Sequence, residues 1–327
     1  MGEFKMKKIL VTGGAGYIGS HVVLGLLDKG YSVRIIDDLS TGIKGNIASE
    51  AEFIEGSILS SKDLRLALKG IDAVIHLAAK KSVSQSMIFP ESYMQTNVLG
   101  TFNLLTQMKQ EQIPYLIFSS TAAVYGLPTL DTPISEDMPL NPINFYGTTK
   151  KIAEDLFAGF HNICNIKTVS LRFFNAVGYD ISARIRYPER NAENVFPILL
   201  DVVFGKKKKF NIFGVDYPTP DGTCVRDYVH VSDLAEAHIQ ALTYLFNGGD
   251  SNIFNLGSQR GLSVLQLLSA AEAEFGYKIP WEAAPRRNGD PALVMANNQK
   301  AKKILGWVPK YSDIHTCLHS MREIYEL

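Results

Sequence analysis

The chain has 327 residues and a mass of 36.2 kDa, and its formal net charge is zero at pH 7. A chain of this length can bury a large core, and its balanced charge predicts no binding to nucleic acid or to a membrane. Three widely spaced cysteines, Cys164, Cys224 and Cys317, argue against a disulfide framework and for a reducing, cytoplasmic compartment. We find no apolar run of membrane-spanning length and no signal peptide, and we expect Met6 to be the natural first residue.

The stretch Lys8–Asp37 predicts a strand, a helix and a second strand. Ile9–Val11 is an apolar run of strand length, and a glycine-rich turn follows it. A helical apolar pattern then stops at Gly30, and a second strand, Val33–Ile36, leads to the aspartate at position 37. This βαβ arrangement is typical of a dinucleotide-binding turn.

Three glycines and one aspartate of this unit are candidate cofactor contacts. Gly13 allows a sharp exit from the strand, Gly16 lets the backbone approach a pyrophosphate, and Gly19 lets the helix pack closely on the sheet. The pyrophosphate would lie at the helix N-terminus, where unsatisfied N–H groups and the helix dipole favour an anion. Asp37 follows Gly19 by 18 residues, where a carboxylate accepts from ribose hydroxyls and repels a 2′-phosphate. NAD is therefore favoured over NADP.

Strands and helices alternate through the first half of the chain. Further strands are predicted over Glu52–Gly56, Asp72–Ala79, Tyr115–Ser120 and Thr168–Phe174. The helices between them are predicted over Asp63–Leu68, Tyr93–Met108 and Asn144–His161. This alternation predicts an α/β fold with a Rossmann-type, doubly wound parallel sheet that binds ligands at the carboxyl ends of its strands.

The pattern changes after Asn175, where the irregular polar segment Tyr179–Asn194 begins a second part of the chain. Helices are predicted there over Val195–Phe204, Asp233–Leu245, Val264–Phe275, Lys300–Leu305 and Asp313–Tyr325. Strands are predicted over Phe210–Gly214, Arg226–Val231 and Ile253–Gly257, and an arginine-containing loop over Ala284–Asp290. We therefore expect a Rossmann domain over residues 6–175, with returns at about 225–258, interleaved with a smaller mixed α/β substrate lobe over 176–327.

Tyr146 and Lys150 lie four residues apart at the start of a predicted helix, so both project from one face. A phenol has a pKa of about 10, but a nearby ammonium and an oxidised nicotinamide, both cationic, would lower it. Ser119, Ser120 and Thr121 follow at the end of the fifth strand, where a hydroxyl can bridge a reacting oxygen and the phenol. The arrangement predicts a hydride-transfer site in which Tyr146 is the general base.

Seven motifs carry a resemblance to a known family. They are TGGAGYIG, SSTAAVYG, YGTTK, RFFNAVG, DGTCVRDYVHV, FNLG and APRRNGDPA. From about Lys8 to Trp307 the chain resembles the extended short-chain dehydrogenase/reductase family and, within it, the UDP-glucose (UDP-galactose) 4-epimerases. The first three motifs mark only the wider family, whereas DGTCVRDYVHV and the APRRNGD loop are more specific to the epimerases.

The resemblance implies an isomerase of galactose metabolism that holds NAD tightly and inverts C4 of a UDP-hexose without net oxidation. By analogy, Tyr146 takes the proton of the 4-hydroxyl while hydride passes from C4 to the nicotinamide. The 4-keto sugar then presents its other face, and hydride returns. The resemblance also implies a homodimer.

The resemblance further implies which residues contact the cofactor. Thr121, Tyr146 and Lys150 form the catalytic set and also face the nicotinamide. The other cofactor contacts are Gly13, Gly16, Tyr17, Ile18 and Gly19 at the pyrophosphate, Asp37, Asp38, Leu39, Ser40, Thr41 and Gly42 around the adenosine, Ser57 and Ile58 at the adenine, and Leu77, Ala78, Ala79, Lys81, Asn97 and Phe174 near the nicotinamide. The family's usual aspartate is Ser57 in this chain, so its hydrogen bond to adenine would be altered.

A second set would bind the UDP-hexose in the lobe over 176–327. Besides Lys81, Thr121 and Tyr146, it comprises Asn175, Asn194 and Val195 near the diphosphate and hexose, Asn211, Ile212 and Phe213 around the uracil, Arg226 and Arg287 on the diphosphate, and Asp290 on the uridine ribose. Guanidinium forks match phosphate oxygens better than ammonium groups do. Val294 stands where some bacterial epimerases carry a bulky tyrosine, and we hypothesise that N-acetylated hexoses are accepted as well.

The spacing of the histidines predicts no metal site. His315 and His319 share a helix face beside Cys317, but no carboxylate accompanies them at ligand spacing. His76 lies inside an apolar strand and is predicted to be a core residue with its ring nitrogens hydrogen-bonded.

Two other functions stay open from the sequence. A related nucleotide-sugar 4,6-dehydratase or decarboxylase needs further acid/base residues after Thr121, where this chain has the apolar run Ala122–Val124. A non-catalytic NAD-binding regulatory protein would have no need of the Tyr146 and Lys150 pair that this chain keeps.

Overall fold

The computed structural model describes residues 6–127, 133–190, 192–287 and 290–326. It contains a seven-stranded sheet, a four-stranded sheet and a two-stranded sheet. Residues 1–5, including the segment before the expected first Met6, and Asn288 and Gly289 of the predicted arginine loop lie outside the described residues. Within the described ranges, no helix is both long enough and apolar enough to cross a membrane.

The helices and strands follow the chain in this order. In the described residues the strands are Lys8–Thr12 (β1), Ser32–Asp37 (β2), Glu52–Glu55 (β3), Ala73–His76 (β4), Tyr115–Thr121 (β5), Lys167–Phe173 (β6), Asn175–Val177 (β7), Phe210–Phe213 (β8), Val225–His230 (β9), Asn252–Leu256 (β10), Gly261–Ser263 (β11), Trp281–Ala284 (β12) and Leu293–Val294 (β13). The α-helices are Tyr17–Asp28 (α1), Ser61–Leu68 (α2), Val83–Ile88 (α3), Pro90–Tyr93 (α4), Gly100–Gln110 (α5), Phe145–Cys164 (α6), Val195–Val203 (α7), Val231–Phe246 (α8), Val264–Phe275 (α9), Gln299–Leu305 (α10) and Ile314–Tyr325 (α11). Two short 3₁₀ helices, Lys44–Asn46 and Ala122–Val124, and a π-helical segment, Met94–Leu99, complete the list.

The large sheet has the strand order β10-β6-β5-β4-β1-β2-β3, and every neighbouring pair is parallel. The chain runs outward from β1 to β2 and β3, then returns to the other side of β1 with β4. The carboxyl ends of β1 and β4 therefore border the crevice where such sheets bind ligands. The predicted doubly wound parallel sheet is confirmed.

Apolar residues of the central strands fill the core on both faces of this sheet. In β1, Ile9 and Val11 pack on the face covered by α1 and α8, whereas Leu10 packs on the opposite face with residues of α2 and α5. Successive side chains of a strand point to opposite faces, so a strand covered on both sides needs a continuous apolar run. The burial of the Ile9–Val11 run thus follows from its central place in the sheet.

A separate core lies in the second half of the chain. It combines Phe196 and Leu199 of α7, Ile212 of β8, Leu267 of α9 and Leu318 of α11. Around it, β9 pairs with β7, β11 and β13, and β8 pairs with β12. Strands β7, β11, β12 and β13 were not predicted; they have two to four residues each, too few to show a period.

Two predicted elements differ in detail from the structure. The predicted strand Asp72–Ala79 ends at His76. The Leu77 N–H still bonds to the Thr12 carbonyl of β1 at 3.0 Å, but the Ala78 N–H donates to the Thr12 hydroxyl at 3.3 Å. The predicted helix Tyr93–Met108 contains the π-helical segment around Asn97. A π-helical turn inside a helix frequently marks a functional site.

Candidate active site

The glycine turn between β1 and α1 is shaped for an approaching ligand. Gly13 has a φ of +73°, and a Cβ there would lie 2.7 Å from the Ala78 nitrogen. A Cβ at Gly19 would lie 2.1 Å from the Gly13 carbonyl oxygen, so the helix packs directly on the turn. Gly16 precedes α1, and in the described residues no side chain caps this helix start. The first N–H groups of α1, at Tyr17 and Ile18, are thus placed to receive a pyrophosphate.

Asp37 joins the glycine turn to the predicted adenosine loop. Its carboxylate accepts from the Ala15 N–H at 3.0 Å and from the Leu39 N–H at 2.9 Å. Gly42 lies against the same carboxylate, since a Cβ there would be 2.6 Å from Oδ1. Burial raises the pKa of Asp37. The carboxylate is thereby fixed at the end of β2, as binding of a ribose diol requires, while Asp38, Ser40 and Thr41 are exposed at the loop's surface.

Ser57, at the predicted adenine position, is hydrogen-bonded within the protein. The Ser57 N–H donates to Asp63 Oδ2 at 3.2 Å, and the Ser57 hydroxyl accepts from the Leu59 N–H at 3.3 Å. Ile58 is buried in the core, so only its backbone is available to a base.

On the nicotinamide side, Asn97 positions a loop. Its two side-chain N–H groups donate to the Lys80 carbonyl at 2.9 Å and to Thr149 Oγ1 at 3.1 Å, and its oxygen accepts from the Lys80 N–H at 2.8 Å. The Asn97 side chain, a predicted cofactor contact, therefore has no N–H group left to donate to a ligand. Lys81 next to this loop pairs with Glu189, and its Nζ lies 5.6 Å from the centre of the Tyr17 ring.

The three predicted catalytic residues come together at the start of α6. Asn144 caps the helix by accepting from the Gly147 N–H at 2.8 Å, and a Cβ at Gly147 would lie 2.5 Å from the Ala123 carbonyl. This close approach brings the buried Tyr146 phenol to the Thr121 hydroxyl at the end of β5. Lys150 Nζ lies 5.9 Å from the centre of the Tyr146 ring.

Burial shifts the pKa values of both Tyr146 and Lys150. Burial raises the pKa of Tyr146 to about 12, and the Thr121 hydroxyl only partly opposes the rise. Burial lowers the pKa of Lys150 to about 7. Lys150 Nζ donates to the Ser119 carbonyl at 2.8 Å and lies 4.5 Å from the centre of the Phe118 ring. The predicted lowering of the phenol pKa depends on an oxidised nicotinamide as well as on Lys150, and it stays a prediction. The protein groups alone leave the phenol protonated at neutral pH.

Next to the predicted catalytic residues lies a buried polar network that sequence reasoning missed. Glu154 accepts from Ser120 Oγ at 2.5 Å and from two nitrogens of Arg172 at 3.1 and 2.6 Å. Arg172 donates to the Tyr125 hydroxyl at 2.9 Å, which in turn donates to Asn255 at 2.7 Å. The spacing of the sequence could have indicated this network, because Glu154 follows the predicted catalytic residue Lys150 by four positions and shares its helix face. The network fixes the end of β5 against α6 and β6.

The expected hexose side of the pocket is apolar. Phe174 is buried in a cluster with Val124, Tyr125 and Ala296, and Val294 packs against that cluster. The structure thus brings together the residue predicted to flank the nicotinamide and the residue predicted to line the hexose pocket. Asn175 donates from Nδ2 to the Asp227 carbonyl at 3.0 Å.

The predicted uridine and diphosphate residues lie on loops and short strands. Arg226 on β9 pairs with the Asp290 carboxylate, so Asp290, predicted to accept from a ribose, accepts from an arginine here. The Arg287 guanidinium stacks 4.2 Å over the Phe213 ring. In β8 the Ile212 side chain is buried in the second core, whereas Asn211 is exposed.

The N-terminus of α7 completes the set of predicted substrate contacts. Asn194 occupies the cap position with extended backbone and is exposed, and Val195 is the first helical residue. Among the described residues no side chain caps this helix start.

His76 is a core residue, as the sequence predicted. The ring nitrogens of His76 are hydrogen-bonded to Thr12 Oγ1 at 2.7 Å and to Thr101 Oγ1 at 3.0 Å, which confirms a satisfied core residue. His319 lies 3.5 Å from Glu274, and Cys317 is buried. A search of the described ranges finds no cluster of three or more histidine, cysteine or acidic side chains that could hold a metal ion.

Comparison with known proteins defines the class. The model of the NAD dependent epimerase/dehydratase family matches residues 9–257, so the chain belongs to that family. A UDP-glucose 4-epimerase of Halalkalibacterium halodurans is 44% identical over 310 residues, which are 94% of this chain and 92% of the relative. The resemblance predicted from the motifs is therefore confirmed.

Solved structures agree with this assignment. The crystal structure of UDP-glucose 4-epimerase from Brucella ovis in complex with NAD superposes with a TM-score of 0.94 at 36% identity, covering 97% of this chain and 98% of the other. The UDP-Glc/GlcNAc 4-epimerase from Campylobacter jejuni superposes with a TM-score of 0.86 at 35% identity, covering 98% of this chain and 100% of the other.

Proposed function

We propose that the chain is an isomerase that uses NAD to invert C4 of a UDP-hexose, interconverting UDP-glucose and UDP-galactose through a transient 4-keto sugar. The observation that carries this proposal is the meeting of the Tyr146 phenol, the Thr121 hydroxyl and Lys150 at the carboxyl end of β5. The glycine turn of the same sheet is shaped for the cofactor pyrophosphate. We expect Gly13–Gly19 to hold that pyrophosphate and Asp37 the adenosine ribose.

Each catalytic residue has a separate task in this proposal. When bound, NAD in its oxidised form accepts hydride from C4 and later returns it. Tyr146 takes the proton of the 4-hydroxyl and gives it back when the inverted carbon is reduced. The Thr121 hydroxyl, already in contact with the phenol, holds the reacting oxygen. Because the protein raises the pKa of the phenol, positive charge brought into the site is what makes Tyr146 a base.

The sugar nucleotide would be held mainly by its UDP part. Arg226 and Arg287 come from different elements and can each present a planar fork to the diphosphate. The pairing of Arg226 with Asp290 keeps its guanidinium in place near the pocket. With affinity concentrated in the nucleotide, the hexose is free to turn between the two hydride transfers. We accordingly assign residues 6–175, with returns at about 225–258, to the cofactor and residues 176–327 to the sugar nucleotide.

We further propose that N-acetylated UDP-hexoses are substrates. Val294 is small, partly buried and packed against the cluster that contains Phe174. A bulky ring at this position would occupy space that an N-acetyl group needs. The C. jejuni relative, whose name includes both UDP-Glc and UDP-GlcNAc, supports this breadth.

A homodimer in the cytoplasm is the last part of the proposal. Leu99, Phe102 and Ile163 are exposed by 54, 48 and 81%, on or next to α5 and α6. The Phe102 ring contacts Phe160 of α6 with ring centres 6.0 Å apart, so these helices present one apolar face. Exposed patches of this kind mark interaction sites. Sedimentation should show a dimer that Phe102→Lys dissociates; a monomeric parent chain would contradict the proposal.

One experiment tests reaction type and substrate breadth together. The purified protein is incubated without added NAD with UDP-glucose, UDP-galactose and their N-acetyl forms, and the products are followed by NMR. We expect each sugar to convert to its C4 epimer. Loss of water from the hexose would instead identify a dehydratase, and no activity on the N-acetyl forms would remove them as substrates.

A further inference from the structure

The segment Gly178–Arg190, named here the cover segment, joins β7 to α7 without helix or strand. Irregular polar segments usually lie on the surface with few fixed contacts. Here Tyr179 and Ile185 are nevertheless buried, with only 2 and 1% of their surface exposed. Both side chains belong to the core of the second half of the chain, and the cover segment also contacts α1, since the ring centres of Tyr179 and Tyr17 are 5.2 Å apart.

One end of the cover segment is bonded to the start of α1. The Tyr17 hydroxyl donates to the Gly178 carbonyl at 2.5 Å, and the Asp180 N–H donates to His21 Nε2 at 2.9 Å. His21 Nδ1 lies 2.7 Å from the Tyr17 carbonyl, so this nitrogen carries the proton of a neutral ring. Burial lowers the pKa of His21 to about 4, which keeps the ring neutral at physiological pH.

The middle of the cover segment is bonded to the 3₁₀ helix Lys44–Asn46, which follows the predicted adenosine contacts Asp37–Gly42. Asn46 donates from Nδ2 to the Tyr187 carbonyl at 2.8 Å, and its Oδ1 accepts from the Tyr187 N–H at 3.1 Å. Asn46 is only 7% exposed. The Tyr187 ring lies directly on Gly45, where a Cβ would be 2.3 Å from the ring. One buried amide thus satisfies both backbone groups of a residue 141 positions away.

The last part of the cover segment reaches the nicotinamide side. The Glu189 carboxylate pairs with Lys81, and the Glu189 N–H donates to the Tyr179 hydroxyl at 2.9 Å. A narrow cavity separates the glycine turn from the cover segment; it is lined by Ala15, Thr41 and Ile43 on one side and Ile185, Tyr187 and Glu189 on the other. The segment therefore links the 3₁₀ helix Lys44–Asn46 to Lys81 and shares a cavity with Ala15 of the glycine turn.

We propose that the cover segment closes the cofactor site and that Asn46 is the positioning residue that sets how long NAD stays bound. This inference rests on the proposed function, because hydride taken from one sugar must be returned to it before the cofactor leaves. Asn46 acts through the backbone of Tyr187 and takes no part in the chemistry. NAD can leave only when this link and the Glu189–Lys81 pair open.

The test measures NAD release from the holoenzyme. Asn46→Ala removes both hydrogen bonds, and we expect NAD to dissociate about tenfold faster or more into buffer that contains an NAD-consuming enzyme. Activity should decay at the same rate and return when NAD is added. Glu189→Gln, a conservative change on a partly buried side chain, should also speed release and provides a variant that does not depend on the folding of Asn46→Ala.

Asn298→Ala is the matched control. Asn298 is also buried and donates from Nδ2 to a backbone carbonyl, that of Gly257, at 2.8 Å, but it does not contact the cover segment. We expect NAD release at the parent rate from this variant. Parent-rate release from both Asn46→Ala and Glu189→Gln, or equal acceleration in Asn298→Ala, would overturn the inference while epimerisation with bound NAD stands. A parent protein that neither holds NAD nor epimerises UDP-glucose would instead overturn the proposed function.

Discussion

The two sides of the pocket are built in opposite ways. On the cofactor side, Tyr146, Lys150 and Glu154 are buried on one helix and fixed against the ends of β5 and β6. On the sugar-nucleotide side, the arginines lie on a short strand and a loop; the Arg226 side chain is 14% exposed, and Arg287 is exposed. From this difference in exposure we expect the buried groups to govern the chemical step and the exposed Arg287 to govern binding of the substrate.

The largest loss of activity is expected from a substitution on the cofactor side. Tyr146→Phe removes the hydroxyl that exchanges the proton but keeps the ring, so kcat should fall at least about a thousandfold. The cofactor should stay bound, because Gly13–Gly19 and Asp37 are untouched. Turnover is followed by coupled assay and bound NAD by absorbance after denaturation. Undiminished epimerisation in this variant would refute Tyr146 as the base.

A smaller loss of activity is expected from a substitution on the sugar-nucleotide side. Arg287→Ala removes a guanidinium fork and its stacking on Phe213, and the KM for UDP-glucose should rise about 10- to 100-fold with little change in kcat. Arg287→Lys should recover only part of the loss, since an ammonium cannot replace the fork. Steady-state kinetics separates the two constants. If kcat fell while KM stayed constant, the division of tasks between the two sides would be wrong.

The size of the side chain at position 294 should determine whether an N-acetylated hexose is accepted. Val294→Tyr should lower kcat/KM for UDP-N-acetylglucosamine about tenfold or more and leave UDP-glucose within a few fold, because the added ring takes the space of the acetamido group. Val294→Ile, which adds one methylene, serves as the control. Equal losses on both sugars would show that Val294 does not discriminate between them.

The smallest effect expected at the pH of an assay is that of the buried histidines on the free energy of unfolding. Burial lowers the pKa of His76 to about 3 and of His238 to about 4, against 6.5 when unfolded. Between these values the unfolded chain binds more protons, so the free energy of unfolding falls with decreasing pH by about 1.4 kcal/mol per unit for each histidine. Above pH 6.5 these groups add no slope.

Chemical denaturation between pH 7 and pH 5 measures this slope. His238→Gln should make it shallower by the contribution of one proton. An unchanged slope in His238→Gln would show that its ring is not held neutral by the fold.

The sequence was sufficient where a function depends on local spacing. Gly13, Gly16 and Gly19, and the four-residue step from Tyr146 to Lys150, place their groups through one turn or one helix. The structure bears these placements out. The fold class followed in the same way, from the alternation of strand and helix patterns.

What could not be predicted depends on contacts between distant parts of the chain. The link from Asn46 to Tyr187 and the pairing of Arg226 with Asp290 join residues 141 and 64 positions apart. Strand β13 has two residues and exists only because β9 lies beside it. The burial that raises the pKa of the Tyr146 phenol was not predicted for a similar reason, since burial is set by the assembled fold.

The central claim is that hydrogen leaves C4 and returns to C4 on a cofactor the protein retains. It is tested by incubating the purified protein, without added NAD, with UDP-glucose that carries deuterium at C4. We predict UDP-galactose with the deuterium still at C4, seen by NMR. Absence of UDP-galactose, or UDP-galactose whose deuterium has been lost to water, would contradict the account.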